Sequence, residues 1–273
     1  MDDIGPFTFN AVRFFVGFLA ILPLVFLFET KKYSFEFKKD KKLLLRLTII
    51  IGFSLFFGSA LQQVALLYTD VANAAFFTIF YVPLVPIIVF LFRKKKIHWS
   101  VWPSVCLCLI GGYLLTNFFD ATVRLGDSLV ILGALFWSFH IIYTDIFIKK
   151  FNLPLTLGAA QTMIVALLSF VVGLIYEEFI LKNILKEIIP ILYAGVLSGG
   201  FAFVLQIYAQ KNISPAPAAI IFSLEGVFAT IAAWIILSQI LEINNILGCI
   251  FILCGVLISQ LVPLINQKKQ NQT

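Results

Sequence analysis

Nine apolar stretches of membrane-spanning length constrain this chain more than any other feature. A spanning helix needs about 20 mostly apolar residues. Phe7–Phe28, Leu43–Tyr68, Val71–Phe92, Ser100–Asn117, Asp127–Ile148, Pro154–Tyr176, Ile188–Gln210, Pro215–Leu237 and Asn245–Ile265 all approach or exceed that length. Within lipid the backbone must satisfy its own hydrogen bonds, which leaves helices or closed barrels. The stretches are too long and too evenly apolar for barrel strands, so an all-α integral membrane bundle is expected. Composition agrees: 61% of the 273 residues are hydrophobic, 12% are charged and the mean hydropathy is +1.01. A soluble domain is roughly 45–50% apolar and about 25% charged. Water-soluble, disordered and disulfide-stapled chains are thereby excluded. The connections are short, the longest being Glu29–Lys42, Phe118–Gly126 and Glu177–Glu187. The last is apolar at helical spacing and is expected to lie flat on the membrane surface. The first stretch has no basic residue before it and is too long for a signal peptide.

The net charge of +6 is not a nucleic-acid signal, because the cations fall in short runs between spans. One set of loops carries Lys31, Lys32, Lys38, Lys39, Lys41, Lys42, Arg93-Lys94-Lys95-Lys96, Lys149, Lys150, Lys211, Lys268 and Lys269. The alternate set carries Arg124, Lys182 and Lys186, and most of the acids: Asp2, Asp3, Asp70, Asp120, Glu177, Glu178, Glu187 and Glu242. By the positive-inside bias the lysine-rich side is cytoplasmic. The expected location is the cytoplasmic membrane, with the N-terminus as given outside and the C-terminus inside.

The two halves match at fixed offsets. Gly52 and Gly195, Gln63 and Gln206, Ala75 and Ala218, Cys106 and Cys249, and Gly112 and Gly255 all stand 143 positions apart. Upstream, Pro6-Phe-Thr8-Phe-Asn10-Ala11-Val-Arg13 parallels Pro154-Leu-Thr156-Leu-Gly158-Ala159-Ala160-Gln161. The expected organisation is a repeat of four helices over 1–118 and a repeat of five over 126–265. The partner of Asp127–Ile148 is lacking, so the chain looks like a ten-helix protein that begins after its first helix. An odd number of spans per repeat inverts the second copy, an arrangement of many secondary transporters.

Here the sequence resembles the drug/metabolite transporter superfamily, in its EamA-type branch. The resemblance rests on Pro6…Ala11-Val-Arg13-Phe-Phe, Gly126-Asp127…Ala134-Leu-Phe-Trp137, Gly195-Val-Leu-Ser198, Ser214-Pro215…Leu224-Glu225-Gly226-Val-Phe228-Ala229 and Gly248…Gly255-Val. It covers essentially the whole chain. Gly226 stands where the family usually has Pro, which Pro83 keeps in the first copy. Ser238-Gln239 stands where the family usually has Gly-Glu. The resemblance implies two five-helix repeats and carrier-mediated movement of small metabolites, often export of amino acids or related solutes.

A polar group in hydrocarbon costs several kcal/mol unless paired, so intramembrane polar residues are the candidates for function. Arg13 lies about 9 Å into its helix, Glu225 about 15 Å and His140 about 20 Å, at 1.5 Å per residue. Arg13 can clamp an anionic group with two parallel bonds or snorkel to the interface. Glu225 can take up a proton or sense solute charge, or serve as a structural partner. His140 can titrate near neutral pH or simply pack. Asn10, Gln62, Gln63 and Asn73 fall in the outer half, and Gln161 and Gln206 in the inner half, as inversion requires. These amides can line a cavity or join helices. Trp137, Tyr81, Tyr143 and Tyr208 can wall a site for an apolar or cationic solute or serve packing alone. Gly52…Gly58 and Gly195…Gly199-Gly200 are expected to permit close helix approach. Pro83 and Pro86 are expected to bend their helix.

No metal or other cofactor is expected, because Cys106, Cys108, Cys249 and Cys254 lie in apolar runs without histidine or acidic partners. ATP hydrolysis is not expected either, because no Walker A motif occurs. An enzyme would need a nucleophile with its base or a metal cluster. Asp127 and Asp145 stand eighteen residues apart on one helix, and His98 and His140 on separate helices. The expected partners are a small-molecule solute and the lipid bilayer, with no nucleic acid and with a homodimer left open. The alternative is a non-transporting membrane scaffold.

Overall fold

The computed structural model describes residues 4–94, 96–116, 124–238 and 240–270, and among them it is all helical. The helices in order are α1 (Pro6–Phe28), α2 (Thr30–Ala65), α3 (Val71–Thr78), α4 (Tyr81–Arg93), α5 (Val101–Leu115), α6 (Leu125–Phe151) and α7 (Pro154–Tyr176). There follow α8 (Leu181–Lys186), α9 (Ile188–Leu192), a π-helical stretch (Tyr193–Ala202), α10 (Phe203–Ala209), α11 (Pro215–Phe222), α12 (Leu224–Leu237) and α13 (Ile243–Gln270). Eight rods are long and apolar enough to cross a bilayer, and α5, the ninth expected span, is 15 residues long. The expected connection Phe118–Gly126, the end of the fourth span at Asn117, and Asp2, Asp3, Lys95 and Gln239 fall wholly or partly outside the described residues.

The helices sort into two compact units that cut across the sequence halves. One comprises Met1–Val64 and Ile142–Asn212, the other Ala65–Ile141 and Ile213–Thr273. In the first, α7 is the principal partner of α1, and the two run antiparallel with matched ends. Both begin with Pro at the first position, where the missing N–H is no loss. The exposed N–H groups of the next two residues are taken by a carboxylate from the other helix's end. Phe7 N and Thr8 N donate to Glu177 at 2.9 and 2.7 Å, and Thr8 Oγ1 donates to it at 2.7 Å. Leu155 N and Thr156 N donate to Glu29 at 3.1 and 2.7 Å, and Thr156 Oγ1 at 2.7 Å. Each residue of one cap stands 148 positions from its equivalent in the other. A Cβ on Gly5 would collide with the Glu177 carboxylate, which explains glycine there. Glu29→Ala removes three charge-assisted bonds. It is expected to lower stability by about 2–4 kcal/mol, read as a lower thermal midpoint in detergent, and Glu177→Ala by a similar amount.

The middle of α1 meets the π-helical stretch backbone to backbone. A Cβ on Gly17 would lie 2.9 Å from Gly195 O, and one on Gly195 would lie 2.7 Å from Arg13 O. The close backbone approach expected at Gly195 is therefore present, whereas Gly52 faces the Ile164 side chain. The π turn is not legible in the sequence; such turns are found where a helix is locally underdetermined, here at Ser198-Gly199-Gly200. At the other side of this unit, Leu44, Leu47 and Ile51 of α2 bury against Phe147, Ile148 and Phe151 of α6. In the second unit α5 pairs with α13, and Gly111 and Gly248 bring the two backbones together.

Three expectations about the elements need correction. The stretch Glu29–Lys42, expected as a connection, is largely helical as the start of α2, with one interruption at Asp40 (φ −149°, ψ 59°). Tyr33 and Phe37 pack on the apolar cluster of this unit, and tertiary packing of that kind overrides a polar sequence. Asp40 Oδ1 accepts from Leu43 N at 3.3 Å, restarting the helix. The spans Val71–Phe92 and Pro215–Leu237 are each two half-helices, broken at Ile79–Phe80 and at Ser223. Pro83 has no N–H to give Ile79, so the first break falls one turn before it rather than at the proline itself. At the second break, Ser223 Oγ donates to Ile220 O at 2.6 Å, a bond that competes with the helical ladder. Both second half-helices end on a left-handed residue, Lys94 (φ 49°) and Ser238 (φ 53°).

Candidate functional site

The candidate residues divide between the units. Asn10, Arg13, Gln63, Gln161 and Gln206 lie in the first, and Tyr81, Trp137, His140 and Glu225 in the second.

In the first unit, α1 carries the polar focus. Asn10 is fully buried, and neither its amide oxygen nor its nitrogen has a hydrogen-bond partner among the described residues. Arg13, one turn further on, is half-buried with Nε also unpartnered. Its guanidinium lies over aromatic rings, 5.2 Å from the Phe9 centroid and 4.8 Å from that of Phe14. Gln161 is fully buried on α7, and Gln63 is buried near the end of α2. Gln206 is half-buried on α10. An unpaired buried amide costs about 1–3 kcal/mol, and such groups are normally met by ordered water or a ligand. Gln210 resembles Asn10 in this: it is 1% exposed, and neither of its amide atoms has a hydrogen-bond partner among the described residues. Its position at a helix end beside Lys211 gave no sign of this.

In the second unit the half-helix breaks bring four polar residues together. Glu225 is in the first turn of α12, immediately after the break at Ser223, and is exposed. Tyr81 opens α4 after the corresponding break and is buried. Glu225 and Cys108 both lie within electrostatic range of the Tyr81 hydroxyl, and Ser223 Oγ, whose one hydrogen goes to Ile220 O, lies 3.4 Å from Cys108 Sγ. Trp137 and His140 sit apart on α6, edge to face with centroids 5.9 Å apart. His140 is fully buried. Asp127 is buried at the start of α6, accepting from Thr69 Oγ1 and, at 2.7 Å, from Arg124 N. Asp145 is buried and paired with Lys149. These two acids therefore have structural partners.

The chemistry on offer is recognition. Arg13 and Asn10 can receive a carboxylate or another polar anionic group, and Glu225 with Tyr81 a cationic one. Among the described residues no three His, Cys, Asp or Glu side chains gather as for a metal ion.

The family model described as EamA-like transporter family matches residues 1–117 and 124–261. An uncharacterized transporter of Archaeoglobus fulgidus is 30% identical over 267 residues, 96% of this chain and 79% of that protein. The uncharacterized transporter YoaV of Bacillus subtilis is 23% identical, over 94% of this chain and 87% of its own. An uncharacterized transporter of Clostridium kluyveri is 25% identical, over 94% and 84%. A solved crystal structure superposes with a TM-score of 0.78 over 95% of this chain and 88% of its own, at 14% identity, and so shares the fold. The chain is a multi-pass membrane protein and belongs to the EamA-like transporter family.

Proposed function

We propose that this chain is a secondary transporter that moves an amino acid or related small metabolite outward across the cytoplasmic membrane by alternating access. Two copies of one helical unit, inserted in opposite senses, form the carrier, with the lysine-rich ends and the C-terminus in the cytoplasm. The protein performs no covalent chemistry, and a solute or ion gradient supplies the energy. The observation that carries this reading is Glu225, an exposed carboxylate at the start of a half-helix about 15 Å into its span. A charge there is costly against lipid and is kept where it faces a watery pathway. Broken helices near the midplane are where secondary transporters place their sites. Tyr81, at the start of the other second half-helix, gives the same region an aromatic hydroxyl. Asn10, Arg13 and Gln161 supply the polar groups expected of a hydrated path on the other unit.

The test is uptake of labelled amino acids and related metabolites into liposomes containing the purified protein. Saturable flux of at least one solute is expected, with a roughly tenfold or greater fall in Arg13→Ala, which removes a charged recognition group. Flux equal to that of empty liposomes across the panel overturns the proposal.

A further inference from the structure

A cleft of about 470 Å³ opens on the first unit where α1 hands over to α2, beside the start of α7. Phe28, Leu205 and Tyr208 form apolar walls, and Lys32, Asn152 and Lys211 stand among them. Lys32 Nζ donates to Asn152 O at 2.6 Å, which ties down the left-handed Asn152 (φ 51°) and leaves further ammonium hydrogens for a ligand. Lys32 and Lys211 are both exposed. Glu29 also borders the cleft, but both its oxygens already accept from the start of α7.

The opposite end of the α1–α7 pair is a natural comparison. Its cap, Glu177, makes the same three bonds, yet the residue three positions on is Ile180, where Lys32 follows Glu29. The cations are therefore no by-product of the capping arrangement. Apolar walls give a free inorganic anion nothing, and a zwitterionic headgroup brings an ammonium that two lysines repel. An amphiphile with net negative charge satisfies both parts, and lysines at the boundary between spans and loops attract such lipids. The volume is in the range of ligand pockets.

We propose that this cleft is a binding site for an anionic phospholipid, with the phosphate on Lys32 and Lys211 and the start of an acyl chain against Phe28, Leu205 and Tyr208. Lipid binding here does not depend on the transport reading.

The experiment titrates the purified full chain in neutral detergent with phosphatidylglycerol, phosphatidylcholine of the same chains, and inorganic phosphate, and counts bound lipid by native mass spectrometry. Phosphatidylglycerol is expected to bind more tightly than phosphatidylcholine, by about fivefold per lysine and roughly 25-fold in all. Lys211→Ala alone is expected to lose about fivefold, and Lys32→Ala with Lys211→Ala the whole preference. Lys32→Arg with Lys211→Arg keeps the preference and controls for loss of the Asn152 bond, and Lys150→Ala leaves it unchanged. Equal affinity for the two lipids, or a preference that survives the double alanine variant, overturns the proposal. So does inorganic phosphate displacing phosphatidylglycerol at equal concentration.

Discussion

Gly248→Val is expected to abolish the folded protein, because the pairing of α5 with α13 leaves no room for a side chain. A Cβ on Gly248 would lie 2.7 Å from Gly111 O and 2.9 Å from Leu115 N. Both are backbone atoms held in a helix, so neither can turn aside. Gly111 has the reciprocal problem, with its Cβ 2.7 Å from Gly248 O and 2.6 Å from Ile252 Cγ1. Between helices in lipid there is no hydrophobic drive to offset the clash, since association rests on packing itself. Prising the pair apart forfeits dispersion contacts along the whole seam. A loss of at least about 3 kcal/mol is expected, seen as disappearance of the monodisperse peak in detergent. Gly248→Ala is expected to retain a weakened fold. Leu253→Val on the same helix, where the side chain is exposed, is expected to behave as the parent. Normal folding of both Gly248→Val and Gly111→Val would show the seam to be looser than described.

Glu225→Gln is expected to slow transport severely while leaving the protein folded. Gln matches Glu in size and keeps an oxygen acceptor, so only the charge is lost. The side chain is exposed, so packing is not at stake. A charge-assisted bond is worth about 1.5–3 kcal/mol, so the initial rate is expected to fall by roughly 10- to 100-fold. Glu225→Asp is expected to keep part of the rate. Thermal midpoints of all three proteins in detergent are expected to agree closely. Parent-like flux in Glu225→Gln would place the carboxylate outside the transport path.

Eight membrane-length helices among the described residues and the family were legible because hydrophobic length and a repeated order of Pro, Gly and Gln survive without knowledge of contacts, while the expected span Ser100–Asn117 is the 15-residue α5. The start expected at Pro154 matches α7, and α1 starts at Pro6, one residue before the expected Phe7. The same comparison held a signal that was passed over: Glu29 and Glu177 recur with the same spacing as the two prolines. A carboxylate just beyond a helix end reads as a loop acid until the N-terminus it caps is known to lie beside it, and that is a tertiary fact. The breaks at Ile79–Phe80 and Ser223 were hidden for a different reason. Both half-helices of each pair are apolar, so periodicity runs through the break, and only Pro83 hinted at the first. The extension of α2 toward Thr30 was masked by its lysines, because burial of Tyr33 and Phe37 decides it rather than average polarity. Of the site, the residue types were legible, but their partnership was not. The bonds of Asp127 to Thr69 and of Asp145 to Lys149 are seen only in the fold, and Gln210 was hidden at a helix end.

The central claim is that water and solute reach Glu225 in the middle of its span. The direct measurement replaces Cys106, Cys108, Cys249 and Cys254, introduces Glu225→Cys, and follows labelling by a membrane-impermeant thiol reagent in liposomes. Phe53→Cys, on an exposed apolar stripe of α2, serves as the lipid-facing control. Position 225 is expected to label many times faster than position 53, and to be protected by a transported solute. Labelling at 225 as slow as at 53 would contradict the claim.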